Sequence, residues 1–306
     1  MLARLQQGIV AALLLLCGAW LWWSRDLPGW IIVGGVLLLL VAHAVFLAFE
    51  FAFAQWINRH DPAPRATWRM LALAWLRESV LAPQVFLWRQ PFCSNAWPDR
   101  LGATGAAATG RTGVVFIHGF LCNRGLWNPW LAQMHQSATV FVAVNLEPVF
   151  GSIDDYAALI DAAVRRVERA TGAPVLLVCH SMGGLVARVW LRQYQADARV
   201  QHVVTIGTPH GGTALAQHSY VSNGRQMAVG SPWLEQLLRD ESPARAALFT
   251  CYYSSCDNIV FPSTSATLDG AQNIFLAGVP HVAMAFAPEV IDAVRARLDG
   301  PVVRLA

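Results

Sequence analysis

Ser181 is the residue best placed to do chemistry. It stands in Cys179-His180-Ser181-Met182-Gly183-Gly184, between the apolar run Pro174–Val178 and the segment Leu185–Trp190. This is the context of a strand, a sharp turn and a helix. Such a turn lifts a serine hydroxyl above the edge of a sheet and requires small residues two positions to either side. Gly183 meets that requirement; on the other side Cys179, still small, stands where glycine is usual. A serine that only capped a helix would need neither the glycine pair nor any companion motif. With Ser181 at the helix start, the Met182 N–H and the positive end of the helix dipole would face charge developing on an attacked carbonyl oxygen. A second donor is expected after the apolar run Val115-Phe116-Ile117, where His118-Gly119-Phe120 follows. The Phe120 N–H is the candidate, Gly119 permits close approach, and His118 reads as a loop-holding residue rather than a proton carrier.

What is missing narrows the chemistry further. The sequence contains no lysine, so all 22 basic residues are arginines. A Ser-Lys dyad, a Schiff-base lysine and the phosphate-binding lysine of a P-loop are thereby excluded. A net charge of +3 with no basic stripe argues against a nucleic-acid partner. The six cysteines (Cys17, Cys93, Cys122, Cys179, Cys251 and Cys256) show neither zinc-ligand spacing nor a Cys-x-x-Cys, and read as mostly free thiols. No metal or organic cofactor is expected, since the sequence carries no calcium loop or zinc-ligand cluster.

Together, His118-Gly119-Phe120, the Ser181 turn and Gly207-Thr208-Pro209-His210-Gly211-Gly212 resemble the bacterial serine lipases and esterases of the α/β-hydrolase family. The resemblance covers about Thr112 to Leu298. It implies an acyl-enzyme mechanism on carboxylic esters and a chain order of nucleophile, acid, base. Asp257, which follows the apolar run Leu248–Tyr253, then fits the acid; Asp269 sits in a Leu-Asp-Gly turn and reads better as a turn residue. His281 follows the last apolar run and precedes the final helix, which fits the base. His210 and His218 come before the acid, and His210 reads as a loop-fixing or rim residue. In this scheme His281 takes the serine proton while Asp257 holds its tautomer. The same residues would serve an acyltransferase, in which an alcohol replaces water. A non-catalytic membrane scaffold that kept the fold is the alternative from another class.

The elements that must position these residues are short apolar runs alternating with longer amphipathic ones. Val114–Ile117, Val140–Val144, Val175–Cys179, Val203–Ile206, Leu248–Tyr253 and Ile274–Ala277 read as strands. Leu126–Gln136, Ile153–Ala170, Gly184–Gln195 and Glu289–Leu298 read as helices. The expected fold is α/β, a mostly parallel sheet with helices on both faces, over residues 112–306. Within it, residues 213–245 could form a small apolar cap carrying Trp233 and Leu237.

Ahead of that domain, Gly8–Trp23 and Gly29–Phe49 are uncharged and apolar, with Trp20, Trp22, Trp23 and Trp30 about the turn between them. Residues 1–53 are therefore expected to form a transmembrane helical hairpin. Residues 54–111 read as an amphipathic or interfacial segment followed by a Gly/Ala/Thr-rich linker from Pro98 to Gly113. Arg4 before the hairpin and Arg59, Arg65, Arg69 and Arg77 after it favour a bacterial inner-membrane orientation with both ends, and the catalytic domain, in the cytoplasm. A lipid or other apolar ester is the expected partner.

Overall fold

The computed structural model describes residues 1–102, 111–137 and 139–300. Half of the expected Pro98–Gly113 linker, residues 103–110, lies outside the described residues. Its beginning is docked: Arg100 exchanges two backbone hydrogen bonds with Phe141 (3.0 and 2.8 Å), and Asp99 pairs with Arg124 and Arg166.

The N-terminal part is helical. It comprises α1 (Leu2–Ser24), α2 (Gly29–Asn58) and α3 (Trp68–Pro83), the last continuing through a π-helical turn (Gln84–Arg89) into the short α4 (Gln90–Phe92). Leu2–Ser24, Gly29–Asn58 and Trp68–Phe92 are each long and apolar enough to cross a membrane. Pro83 lies within the third of these. Proline has no N–H for the carbonyl four residues earlier and its ring crowds that carbonyl. Here the carbonyl is that of Ser79, and His43 of α2 lies 2.8 Å from it through Nε2, in place of the missing donor.

The rest builds one six-stranded parallel sheet from β1 (Val114–Ile117), β2 (Phe141–Ala143), β3 (Val175–His180), β4 (Val200–Ile206), β5 (Phe249–Tyr253) and β6 (Gln272–Phe275), in the order β2-β1-β3-β4-β5-β6. Between them run α5 (Asn128–Gln136), α6 (Ala157–Thr171), α7 (Met182–Tyr194), α8 (Ser222–Gln226), α9 (Pro232–Arg239) and α10 (Pro243–Ala246), and after β6 come α11 (His281–Met284) and α12 (Pro288–Asp299). Strand residues alternate between two cores. Val115, Ile117, Leu177 and Val203 pack with Ile160, Val164, Val186 and Val189 of α6 and α7. Val114, Phe116, Leu176 and Val204 pack with Trp130, Leu131, Val290 and Val294 of α5 and α12. A strand covered on both faces must be apolar at every position, which is why these segments read as unbroken apolar runs. Each such side chain contributes about 1.5–3 kcal/mol on burial.

From β1 the chain goes outward to β2 and then crosses to β3 on the other side of β1. The carboxyl ends of β1 and β3 therefore flank the point where strand order reverses, the place where sheets of this kind bind ligands. His118 and Ser181 follow those two ends.

The two residues expected to carry a cap, Trp233 and Leu237, do not line the cavity that holds Ser181. Leu234 and Leu237 of α9 are buried against the α6 and α7 side, and Trp233 packs there too, donating through Nε1 to Asp154 (2.7 Å). A ring tied down in this way cannot roof the serine. Of residues 213–245, Leu215 reaches the cavity described below.

Candidate active site

β3 ends at His180 and α7 begins at Met182, so Ser181 alone makes the turn, at φ 55° and ψ −129°. A non-glycine residue stays in that region only where its surroundings hold it. The Ser181 N–H donates to Ile206 O (2.9 Å), and the Thr208 hydroxyl donates to Ser181 O (2.8 Å). The neighbouring chain leaves no room for larger residues. A Cβ on Gly183 would lie 2.5 Å from Ile117 O, and one on Gly119 2.7 Å from Ser181 Cβ. Gly184, expected as the first helical residue, lies inside α7, where the Thr208 side chain occupies the space of its missing Cβ. Cys179 is fully buried at the end of β3, and burial raises its thiol far above the usual range. All six cysteines are unpaired.

Asp257 and His281 meet beside this turn. His281 Nδ1–H donates to Asp257 Oδ2 at 2.9 Å, while Asp257 Oδ1 accepts the Ile259 and Val260 amides, both at 2.8 Å. Both residues are buried. Burial pulls the imidazole down, but the Asp257 charge and hydrogen bond, joined by the charges of Glu78 and Glu50, outweigh it and leave His281 raised above 6.5. With Nδ1 committed to the carboxylate, Nε2 carries the lone pair; neither it nor Ser181 Oγ has a hydrogen bond among the described residues. Gly207, at φ +57°, backs the pair, because a Cβ there would stand 3.1 Å from both Asp257 Oδ2 and His281 Nδ1.

The expected loop residues fall around the same point. His118 Nε2 accepts the Leu146 amide (3.0 Å), which assigns the Nδ1 proton to the Gly119 carbonyl (2.9 Å). Burial pushes its pKa down to about 4, so it remains neutral while it holds the loop. The Phe120 N–H has no partner among the described residues, and the Met182 N–H, the first of α7, has none within its helix. The competing residues lie elsewhere. Asp269 and His218 are exposed, and His210 is buried against Thr205 and Cys251.

Four further residues carry no motif. His180 lies with its ring 4.6 Å from that of His281 and donates from Nε2 to the His281 carbonyl (3.1 Å); burial, reinforced by the His281 charge, pushes it down to about 3. Asn258 accepts the His281 N–H (3.4 Å) and donates to Glu50 of α2 (2.9 Å). Glu78 of α3, only 1% exposed, accepts the amides of Val282 (2.7 Å) and Ala283 (3.2 Å), the two residues after His281. A carboxylate inside an apolar helix was the available signal for Glu78, since burying one demands partners. The rest depend on tertiary docking. Ser181, His180 and His281 share one wall of an apolar cavity of about 570 Å³, whose other walls come from α1, α2 and the end of α3.

The sequence pattern of the family described as PGAP1-like alpha/beta domain matches residues 138–273, which include Ser181 and Asp257. Among solved structures, the mature form of the Bacillus licheniformis lipase BlEst2 superposes with a TM-score of 0.56 at 18% identity, over 64% of this chain and 96% of that one. Its propeptide form gives 0.55 at 19% identity, over 68% and 54%. Aspergillus fumigatus lipase B gives 0.53 at 16% identity, over 66% and 57%. The chain thus spans just over half the length of the latter two. The fold is that of the α/β-hydrolases, as the sequence resemblance implied.

Proposed function

We propose that this protein is a membrane-bound serine hydrolase that cleaves carboxylic, lipidic esters through an acyl-enzyme on Ser181. The observation that carries this reading is the Asp257–His281 pair, locked at 2.9 Å, whose His281 lines an apolar cavity together with a serine held in a strained turn. In the proposed sequence His281 Nε2 takes the Ser181 proton as Oγ attacks the ester carbonyl carbon. The Phe120 and Met182 N–H groups face the oxyanion. Collapse breaks the bond to the alcohol, which leaves with the proton from His281. Water then repeats the cycle through His281, releasing the carboxylic acid and restoring Ser181. Asp257 keeps the tautomer and stabilises the transient imidazolium.

The membrane part of the proposal rests on α1 and α2. At 1.5 Å per residue the 23 residues of α1 reach roughly 35 Å, enough for a hydrocarbon core of about 30 Å. The hairpin then holds the catalytic domain on the side of its two open ends, and the arginine distribution favours the cytoplasm for that side. α3 touches α2 through Trp75 and Ser79 and is followed by Gln90, which pairs with Gln6 of α1. It bridges the two helices and is proposed to lie at the interface.

The test is product analysis with the purified full chain and an ester lipid in vesicles. Equimolar acid and alcohol are expected, and Ser181→Ala should lower turnover about 10⁴- to 10⁶-fold. Transfer of the acyl group to an added alcohol as the main product would favour an acyltransferase instead. Release of no acid at all by the folded protein would overturn the reading.

A further inference from the structure

We propose that the hairpin is more than an anchor: α1 and α2 form the acyl-chain site, and a long-chain lipid ester enters between them from within the bilayer. This rests on the serine-esterase reading above and specifies how its substrate is held. The cavity beside Ser181 is walled by Leu5 and Ile9 of α1, Phe46 and Leu47 of α2, and Phe86 and Leu87 after α3. Its volume of about 570 Å³ is in the range that encloses a small organic ligand.

The two helices are closed at one end and parted at the other. Near the turn, Trp20 Nε1–H donates to Ile32 O (3.0 Å), and the indole fills the space over Gly35. Toward the catalytic domain the cavity lies between them, with Leu5 and Ile9 on one side and Phe46 on the other. Ile9 is 48% and Phe46 63% exposed, so the apolar rim is also the outer surface of the hairpin. In water that would be an unfavourable opening; in a membrane it meets hydrocarbon.

The polarity along the cavity gives the substrate a direction. Gln6, Glu50 and Glu78 lie on the same lining as Ser181 and His281, whereas Ile9 and Phe46 fall inside the two uncharged stretches, Gly8–Trp23 and Gly29–Phe49; His43, also on the lining within the second stretch, has its ring nitrogens at the Leu40 and Ser79 carbonyls (3.0 and 2.8 Å). An ester bond at the headgroup boundary would then face Ser181, its alcohol toward the polar groups and its acyl chain passing Ile9 and Phe46 into the leaflet. Among the described residues, Leu215 alone represents the segment between β4 and β5 on this lining, against eight residues of α1 and α2, so chain-length selection falls mainly to the hairpin.

The experiment uses the full chain reconstituted in phosphatidylcholine vesicles, with palmitoyl and acetyl esters of one fluorogenic alcohol and a fluorophosphonate label on Ser181. For Ile9→Trp, which narrows the entry, the ratio of palmitoyl to acetyl hydrolysis is expected to fall about tenfold or more. Leu14→Trp, at a lipid-facing position outside the cavity, is expected to leave the ratio where it is. A ratio that is unchanged in Ile9→Trp, or one that falls equally in Leu14→Trp, overturns the proposal. Wild-type protein that takes no label and hydrolyses neither ester fails at the earlier step, and the esterase reading falls with it.

Discussion

At the scale of single residues, the pH dependence of turnover follows from what faces His281. Asp257 bonds its Nδ1, Glu78 and Glu50 add negative charge, and His180 stays neutral behind it. A base must be unprotonated to act, and the net effect on His281 is upward, so the acid limb of kcat/KM should lie above the free imidazole value of about 6.5. Glu78→Gln removes one of the charges that favour the imidazolium, and the limb should move to lower pH. If kcat falls while the limb stays in place, Glu78 acts only as a structural support for the Val282 and Ala283 amides. The turn at Ser181 was legible in the sequence because a strand, a sharp turn and a helix are written in consecutive residues, Pro174 to Trp190. Singling out Asp257 and His281 as the proposed acid and base needed the chain order that the resemblance implied. Glu78 could be seen as a charge interrupting an apolar run, yet its partners lie more than two hundred residues away, a distance no local pattern encodes.

Among the elements, α7 is fixed at its start and at its middle. Its glycines sit against β1 and Thr208, and Arg188, fully buried, pairs with Glu241 at 2.6 Å. Glu241 is 7% exposed, so deleting it strands a guanidinium in the interior. Glu241→Ala is expected to cost about 3–5 kcal/mol of stability, read as a lowered denaturation midpoint, with Ser181 labelling intact in the protein that remains folded. A loss under about 1 kcal/mol would mean that water replaces the carboxylate, as at a surface pair. The sheet was readable from apolar runs because double-sided burial demands them. The strand ends shifted by a few residues: β4 begins at Val200, three residues before the apolar run, since His202 can sit half-exposed at the near end while its backbone still pairs with Leu176. An amphipathic helix in residues 213–245 could be read either as a cap or as a helix packed on the core. The apolar stripe of α9 that suggested a lid faces the main core instead.

For the whole molecule, the hairpin and the α/β domain are one construction. Leu47, Phe51, Ala54 and Asn58 recur on one face of α2 and are buried, and along that helix Gln55 donates to Ser255 O while Asn58 accepts the Ser263 amide. The end of a lipid-length helix is thereby part of the α/β domain's wall. Sequence reading separated anchor, linker and enzyme because apolarity marks a span but is silent on what it packs against. The central claim is that this assembly activates Ser181. It is tested most directly by treating the detergent-extracted full chain with a fluorophosphonate probe and mapping the modified peptide in wild type and Ser181→Ala. The account predicts stoichiometric labelling at Ser181 that disappears in the variant; a folded wild-type protein left unlabelled, or labelled at another serine, would contradict it.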